Sequence, residues 1–416
     1  MNKRNFLKNI LTLGMGAVAM PATFAENSLN WMDVDFNTDD IWEEIRKGYR
    51  LKKEYINLEN GYYCFMPQAL LERYIHRVRE ANLEGSYYLR TTVEDDRRKV
   101  VARLAQLADC LEDELVITRN TTESLDLVIS GLKWNAGDEA IMAEQDYGSM
   151  LDMFDQVAKR YGVVNKRISL PNNPQSDDEI VQLYESQITP KTRLIMVCHI
   201  VNITGQILPV RKICEMAHSH GVEVMVDGAH SFAHIPSSMR ELDCDYYGSS
   251  LHKWLSAPLG CGLLYVKREK IAGLWPLFAE SPKEEDDIYR LNHTGTSPVH
   301  VWLGINDAID FYEQIGAEKK EQRLRFLQNY WTDQVRHLDN IIMNTPEDPV
   351  RSCAIANVGI EGIKPSDLAK TLMEKFKIWT VAIDRPGVAG VRITPNIYTN
   401  TAELDKFVMA MAELSR

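Results

Sequence analysis

Between residues 115 and 266 the chain alternates short apolar runs with helical patterns, and this alternation limits the available folds more than any other feature. Residues 115–118 read as a strand, 123–131 as a helix closed by glycine, and 139–142 as a strand. A helical pattern covers 150–162. Residues 193–199 form an almost continuous apolar strand, 209–221 a helix ending in glycine, and 222–226 a buried strand in which Glu223 is the one polar residue. Residues 245–248 and 262–266 supply two further strands. Strands spaced this way by helices predict an α/β fold with a mainly parallel sheet covered on both faces. Ligands of such sheets bind outside the carboxyl ends of the strands. Asp146, Tyr147, Asn202 and Asp227 each lie just after a predicted strand.

The flanking regions divide the chain further. Residues 1–25 read as an export signal, 26–68 as an N-terminal arm with a helical stretch near 38–48, and 69–305 as a large domain. Helical patterns at 69–84 and 93–109 open that domain. Residues 306–416 hold a helical connection and a small C-terminal α+β domain, with one or two long helices over 301–337 and a strand–helix–strand pattern from about Ile341.

The export reading rests on Lys3, Arg4 and Lys8, followed by a short apolar stretch over 9–20 and the small-residue site Ala22-Thr23-Phe24-Ala25 before Glu26. The apolar stretch is too short to read as a stable membrane anchor. Lys3-Arg4 resembles a twin-arginine signal with lysine in the first place, which predicts a periplasmic protein exported folded and cofactor-loaded. The net charge of -12, with no basic stripe, argues against a nucleic-acid partner. Seven cysteines are scattered singly, without metal-ligand spacing or a disulfide framework. Cys198 and Cys261 sit inside apolar runs and read as buried packing residues.

Chemistry concentrates in one pair. The run 222–226 ends in Asp227, and Lys253 follows in Ser250-Leu251-His252-Lys253. A pyridoxal 5′-phosphate (PLP) enzyme needs this pair: a carboxylate keeps the pyridine nitrogen protonated, and a lysine captures the aldehyde. A lone lysine beside a strand is ordinarily a solvated surface residue, and Asp227 alone is an ordinary strand-end cap. Asn120-Thr121-Thr122-Glu123, between a strand and a helix, reads either as an anion site or as a plain helix cap. Tyr147 reads as a ring-stacking aromatic or as one half-buried tyrosine among seventeen. Asn202 reads as a polar contact or as turn chemistry. Arg392, flanked by Val391 and Ile393, reads as a carboxylate clamp or as a surface ion pair.

Taken in order, Asn120-Thr121-Thr122-Glu123, Asp146-Tyr147-Gly148, Asn202-x-Thr204-Gly205, Asp227-Gly228-Ala229-His230, Ser250-x-His252-Lys253, Gly295-Thr296 and Val391-Arg392 resemble the class V aminotransferase family over roughly 55–410. Tyr147-Gly148 and His230 resemble its isopenicillin N epimerase-like branch, related to cysteine desulfurases. Some exported members of that branch resemble enzymes that tailor peptide siderophores.

The resemblance implies PLP fold type I, with a seven-stranded-type sheet. It implies that Lys253 holds the cofactor and shuttles protons, Asp227 pairs with the pyridine nitrogen, and Tyr147 stacks on the ring. Asn202 and His230 face the phenolic oxygen. Thr121, Thr122, Ser250 and His252 contact the phosphate. Thr296 reaches the phosphate of a neighbouring subunit, which implies a homodimer. Arg392 binds the substrate carboxylate. The expected activity is an aminotransferase-type reaction on an amino-acid or peptidyl amine, with epimerisation, elimination or cofactor-fold binding without turnover as alternatives. Desulfurases carry a persulfide cysteine shortly before this arginine; residues 382–390 contain none, and Cys353 is the nearest upstream.

Overall fold

The computed structural model describes residues 41–279 and 283–416. The expected export signal lies outside the described residues. Helix α1 (Ile41–Lys47) opens the described chain, followed by strand β1 (Ile56–Asn57) and helices α2 (Gln68–Thr91) and α3 (Val93–Ala108). Helix α2 outruns its sequence pattern because the backbone leaves helical geometry only at Gly85 and then resumes.

The large sheet contains β2 (Leu115–Thr118), β3 (Glu139–Ala143), β4 (Val164–Ile168), β5 (Thr192–Cys198), β6 (Glu223–Asp227), β7 (Tyr246–Ser250) and β8 (Gly262–Val266). Its order is β2-β8-β7-β6-β5-β3-β4. The pairs from β4 to β7 are parallel, while β8 runs antiparallel to both of its neighbours. Strand β2 therefore points the same way as β7, and the carboxyl ends of six strands share one edge.

Alternation along each strand explains the two-sided burial. Ile195, Val197, Val224 and Val226 enter one apolar layer, and Leu194, Met196 and Met225 enter the other. Helix α4 (Thr121–Gly131) and helix α5 (Gly148–Tyr161) cover the second face through Leu125, Val128, Met150 and Phe154. Each such side chain contributes about 1.5–3 kcal/mol by leaving water.

Strand β4 and helix α6 (Asp177–Glu185) carry too little signal to be read from sequence. Strand β4 is the sheet edge, and its Val-Asn-Lys-Arg-Ile run is mostly unburied, as charged edges are. Helix α6 buries only Ile180 and Tyr184, so its apolar stripe is narrow. Helix α7 (Val210–Ser219) packs by contrast through Val210, Ile213, Cys214 and Ala217.

Two long helices, α8 (Val299–Ile315) and α9 (Ala317–Val335), lead to the second sheet. That sheet is antiparallel, with β9 (Ile341–Met343), β10 (Ala356–Ile360), β12 (Val381–Arg385) and β13 (Val388–Ile393) in the order β12-β13-β10-β9. Helices α10 (Pro365–Phe376) and α11 (Thr401–Leu414) join α9 around Trp331, Leu372 and Phe407. The expected arm is partly woven into this region. Strand β1 pairs in parallel with β11 (Ile378–Trp379), and Glu59 bridges to Thr394.

Candidate active site

A cleft of about 840 Å³ opens where the carboxyl edge of the large sheet meets the C-terminal region. Thr121, Thr122, Tyr147, Asn202 and Asp227 line it, as do His230, Ser250, His252, Lys253 and Arg392. The fold thus gathers ten sequence-selected residues that span 272 positions of the chain (392 − 121 + 1). Thr296 does not line the cleft of its own chain and is exposed.

Asp227 ends β6 and is buried. The Ala229 amide donates to its Oδ1 at 2.9 Å. Burial pushes its carboxyl up, and the Ala229 amide and the Lys253 ammonium pull it back. Burial lowers the Lys253 ammonium to about 8, with Asp227 opposing that shift. Lys253 Nζ stands 3.1 Å from His230 Nε2.

The ring of His230 has one neutral form that suits its surroundings. An indole N–H only donates, and that of Trp254 donates to His230 Nδ1 at 3.3 Å. Nδ1 therefore accepts, and in the neutral ring Nε2 carries the hydrogen. Burial holds His230 well below the usual imidazole range, with the Lys253 charge adding to the effect. The neutral ring thus turns Nε2–H toward Lys253, whose Nζ can accept it only as the neutral amine. Behind it, His234 stacks on Trp254 with centroids 3.7 Å apart, and its Nδ1–H donates to the His230 carbonyl at 2.7 Å.

The N-terminus of α4 forms another wall. Asn120 caps it, accepting the Glu123 amide at 2.9 Å. Glu123 takes the Arg119 amide instead of completing a capping box with Asn120. The plain-cap and anion-site readings therefore coexist. Thr121 and Ser250 share a hydroxyl contact at 2.7 Å, and the Thr121 amide donates to Ser250 Oγ at 2.9 Å. Amide ends and hydroxyls gathered at a helix N-terminus favour a phosphate. His252 donates Nδ1–H to the Cys261 carbonyl at 3.2 Å, which leaves Nε2 for a ligand.

Tyr147 stands at the N-terminus of α5, 44% exposed, and lines the cleft. The Asn202 side-chain Oδ1 is buried without a partner among the described residues. Buried polar atoms rarely lack a partner in a complete site. The buried carboxylate, the desolvated lysine and the hydroxyls at the helix N-terminus fit PLP, and Asn202 would meet its phenolic oxygen through the amide N–H, since Oδ1 only accepts.

Arg392 is placed differently from the open clamp expected of it. Glu59 holds its guanidinium in a bidentate pair, at 3.1 Å from Nε and 2.5 Å from Nη2. Sequence reading missed Glu59 and Trp254. The Asn60-Gly61 turn signal marked the first without showing its partner, and the position directly after Lys253 was the only pointer to the second. Cys198 also lines the cleft. Burial, with Asp146 and Asp227 nearby, pushes its thiol well up, so it stays protonated. The hairpin β12–β13 carries no cysteine. Cys353 is buried outside the cleft lining.

Comparison with known proteins agrees with this arrangement. The chain is 28% identical to isopenicillin N epimerase from Streptomyces clavuligerus over 395 residues, covering 90% of this chain and 98% of that one. It is 30% identical over 275 residues to a probable cysteine desulfurase from Halalkalibacterium halodurans, covering 62% and 65% of the two chains. The cystine C-S lyase C-DES, solved with its product cysteine persulfide, matches in fold with a TM-score of 0.79 at 20% identity, over 87% of this chain and 98% of that one. The family model described as Aminotransferase class-V matches residues 67–399. On that span and this cleft, the chain belongs to the class V aminotransferase family and PLP is its cofactor.

Proposed function

We propose that the protein is an exported enzyme acting on the amino group of an amino-acid or peptidyl substrate, with Lys253 as the residue that holds PLP and moves protons. The observation that carries this reading is the contact of Lys253 Nζ with His230 Nε2 at 3.1 Å, in the cleft that also holds buried Asp227. When bound, PLP supplies an electron sink that stabilises negative charge on the substrate carbon next to nitrogen.

This chain's residues do the rest. Asp227 would hold a proton on the pyridine nitrogen. His230 and Asn202 would contact the phenolic oxygen, and Tyr147 would support the ring. Thr121, Thr122, Ser250 and His252 would hold the phosphate. A lowered ammonium leaves Lys253 with a large neutral fraction near pH 8, as a general base requires. The protonated, buried thiol of Cys198 and the cysteine-free hairpin speak against persulfide chemistry. Incubating the PLP-loaded protein with amines and keto acids, with products read by mass spectrometry, tests this. Amine-to-ketone exchange supports transamination, inverted configuration supports epimerisation, and no change in any amine overturns the reading.

Export rests on Lys3, Arg4, the short apolar stretch and Ala25. The mature chain should begin near Glu26 in a periplasmic fraction; full-length protein in the cytoplasm would refute export. A homodimer is supported by exposed Thr296, which its own cleft does not use, and by exposed Tyr62 and Leu259 at the cleft lining. Among the described residues, no helix is long and apolar enough to cross a membrane.

A further inference from the structure

Arg392 is engaged by its own chain through each of its three guanidinium nitrogens. Its Nε and Nη2 donate to Glu59, and its Nη1 donates to the Asn202 carbonyl at 3.2 Å. Glu59 Oε1 also accepts the Tyr62 amide at 2.9 Å. Both side chains are buried, at 8% and 5% exposure. Gly61 lies against the guanidinium: a Cβ there would stand 2.7 Å from Cζ. The pair is therefore enclosed by backbone as well as matched in charge.

A guanidinium grips a carboxylate best through two parallel N–H groups. Glu59 already occupies one such edge of Arg392. A substrate carboxylate arriving here would either evict Glu59, leaving a buried charge without its partner, or bring a second negative charge against it in a desolvated wall. A neutral carbonyl carries no such penalty. It can accept a remaining guanidinium N–H, since three of the five are used.

We propose that Glu59 is a specificity-determining residue, turning the site from free α-amino acids toward α-amino amides, such as the amino end of a peptide or an amidated amino acid. This rests on the amine chemistry proposed above. Glu59 acts through Arg392 and is a positioning residue.

The test titrates PLP-loaded protein with L-alanine and with L-alaninamide, following the shift of the cofactor absorption band. The probes differ in free-amine fraction, but that difference cancels when two proteins are compared at one pH. Glu59→Gln should improve apparent affinity for L-alanine relative to L-alaninamide by about tenfold or more. Glu59→Asp, which keeps the charge, should retain the wild-type ratio more closely. An unchanged ratio in a folded Glu59→Gln protein overturns the proposal. Unreactive competitors test the wild type directly: propionamide should compete with L-alaninamide well below the concentration at which propionate does. Equal competition by propionate would also overturn it. If no amine shifts the band although PLP sits on Lys253, the amine-chemistry reading itself fails, and this inference falls with it.

Discussion

The indole of Trp254 fixes the tautomer of His230 by donating to its Nδ1 at 3.3 Å. The residue directly after the lysine thus sets the hydrogen-bonding sense of the ring that faces it. His230→Phe should lower kcat/KM by about a hundredfold, the scale of a lost proton-handling group. Trp254→Phe should lower it less and shift the pH profile, because either ring nitrogen can then carry the hydrogen. Steady-state kinetics across pH would read both; unaltered profiles would exclude the tautomer's role.

Lys253 should be the site of cofactor attachment. Borohydride reduction and peptide mapping should place the pyridoxyl group on Lys253, and Lys253→Ala should abolish turnover. Only the neutral amine attacks an aldehyde, and burial lowers this ammonium to about 8. The rate of PLP capture by cofactor-free protein should therefore climb as pH rises toward 8 and level off above it. Stopped-flow absorbance would show this; a climb continuing toward pH 10.5 would mean an ordinary, solvated lysine.

Thr296 offers a test of assembly. If it completes the site of a partner subunit, the Lys253→Ala protein should be inactive alone and the Thr296→Ala protein weak. Mixed after reversible dissociation, they should regain activity, since one site in the hybrid has both residues. A gel-filtration profile of monomers, or no recovery in confirmed hybrids, would count against a shared site.

Residue types and spacing made much of this site legible, because Lys253, Asp227, Ser250 and Asn202 sit in short motifs tied to strand ends. The edge strand β4 was not legible, since its polar run carries no period. The Glu59–Arg392 pair was not legible either. Its members lie 333 positions apart, and local pattern carries no information on who meets whom at that range. A carboxylate-binding arginine and an arginine already bound to a carboxylate look identical in sequence.

Acid should destabilise the fold through buried imidazoles. Burial lowers His199 to about 4 and His234 to about 3. A depressed folded-state pKa stabilises above the ordinary value near 6.5 and is lost as pH falls through the folded value. On this scale His199 is worth roughly 3 kcal/mol and His234 roughly 5 kcal/mol. Thermal melts should fall between pH 6.5 and 4, and His199→Asn should flatten that limb. An equally steep limb in the variant would assign the loss elsewhere.

Cysteine should yield no protein persulfide, and Cys353→Ser should leave activity unchanged, because Cys353 is buried outside the cleft lining. Sulfide release that Cys353→Ser abolishes would reverse this.

Glu59 and Arg392 also impose a schedule on synthesis. The arginine is made 333 residues after the glutamate, an interval of about 20–70 s at ordinary elongation rates of roughly 5–20 residues per second. Throughout that time Glu59 has no guanidinium to meet and its carboxylate stays in water. The cleft wall cannot set until nearly the whole chain has left the ribosome. The large sheet can form well before then, so the cofactor's own ligands are assembled while the wall that selects the substrate is still missing. Loss of the last 25 residues (416 − 392 + 1) would leave that wall permanently open and Glu59 without its counter-ion.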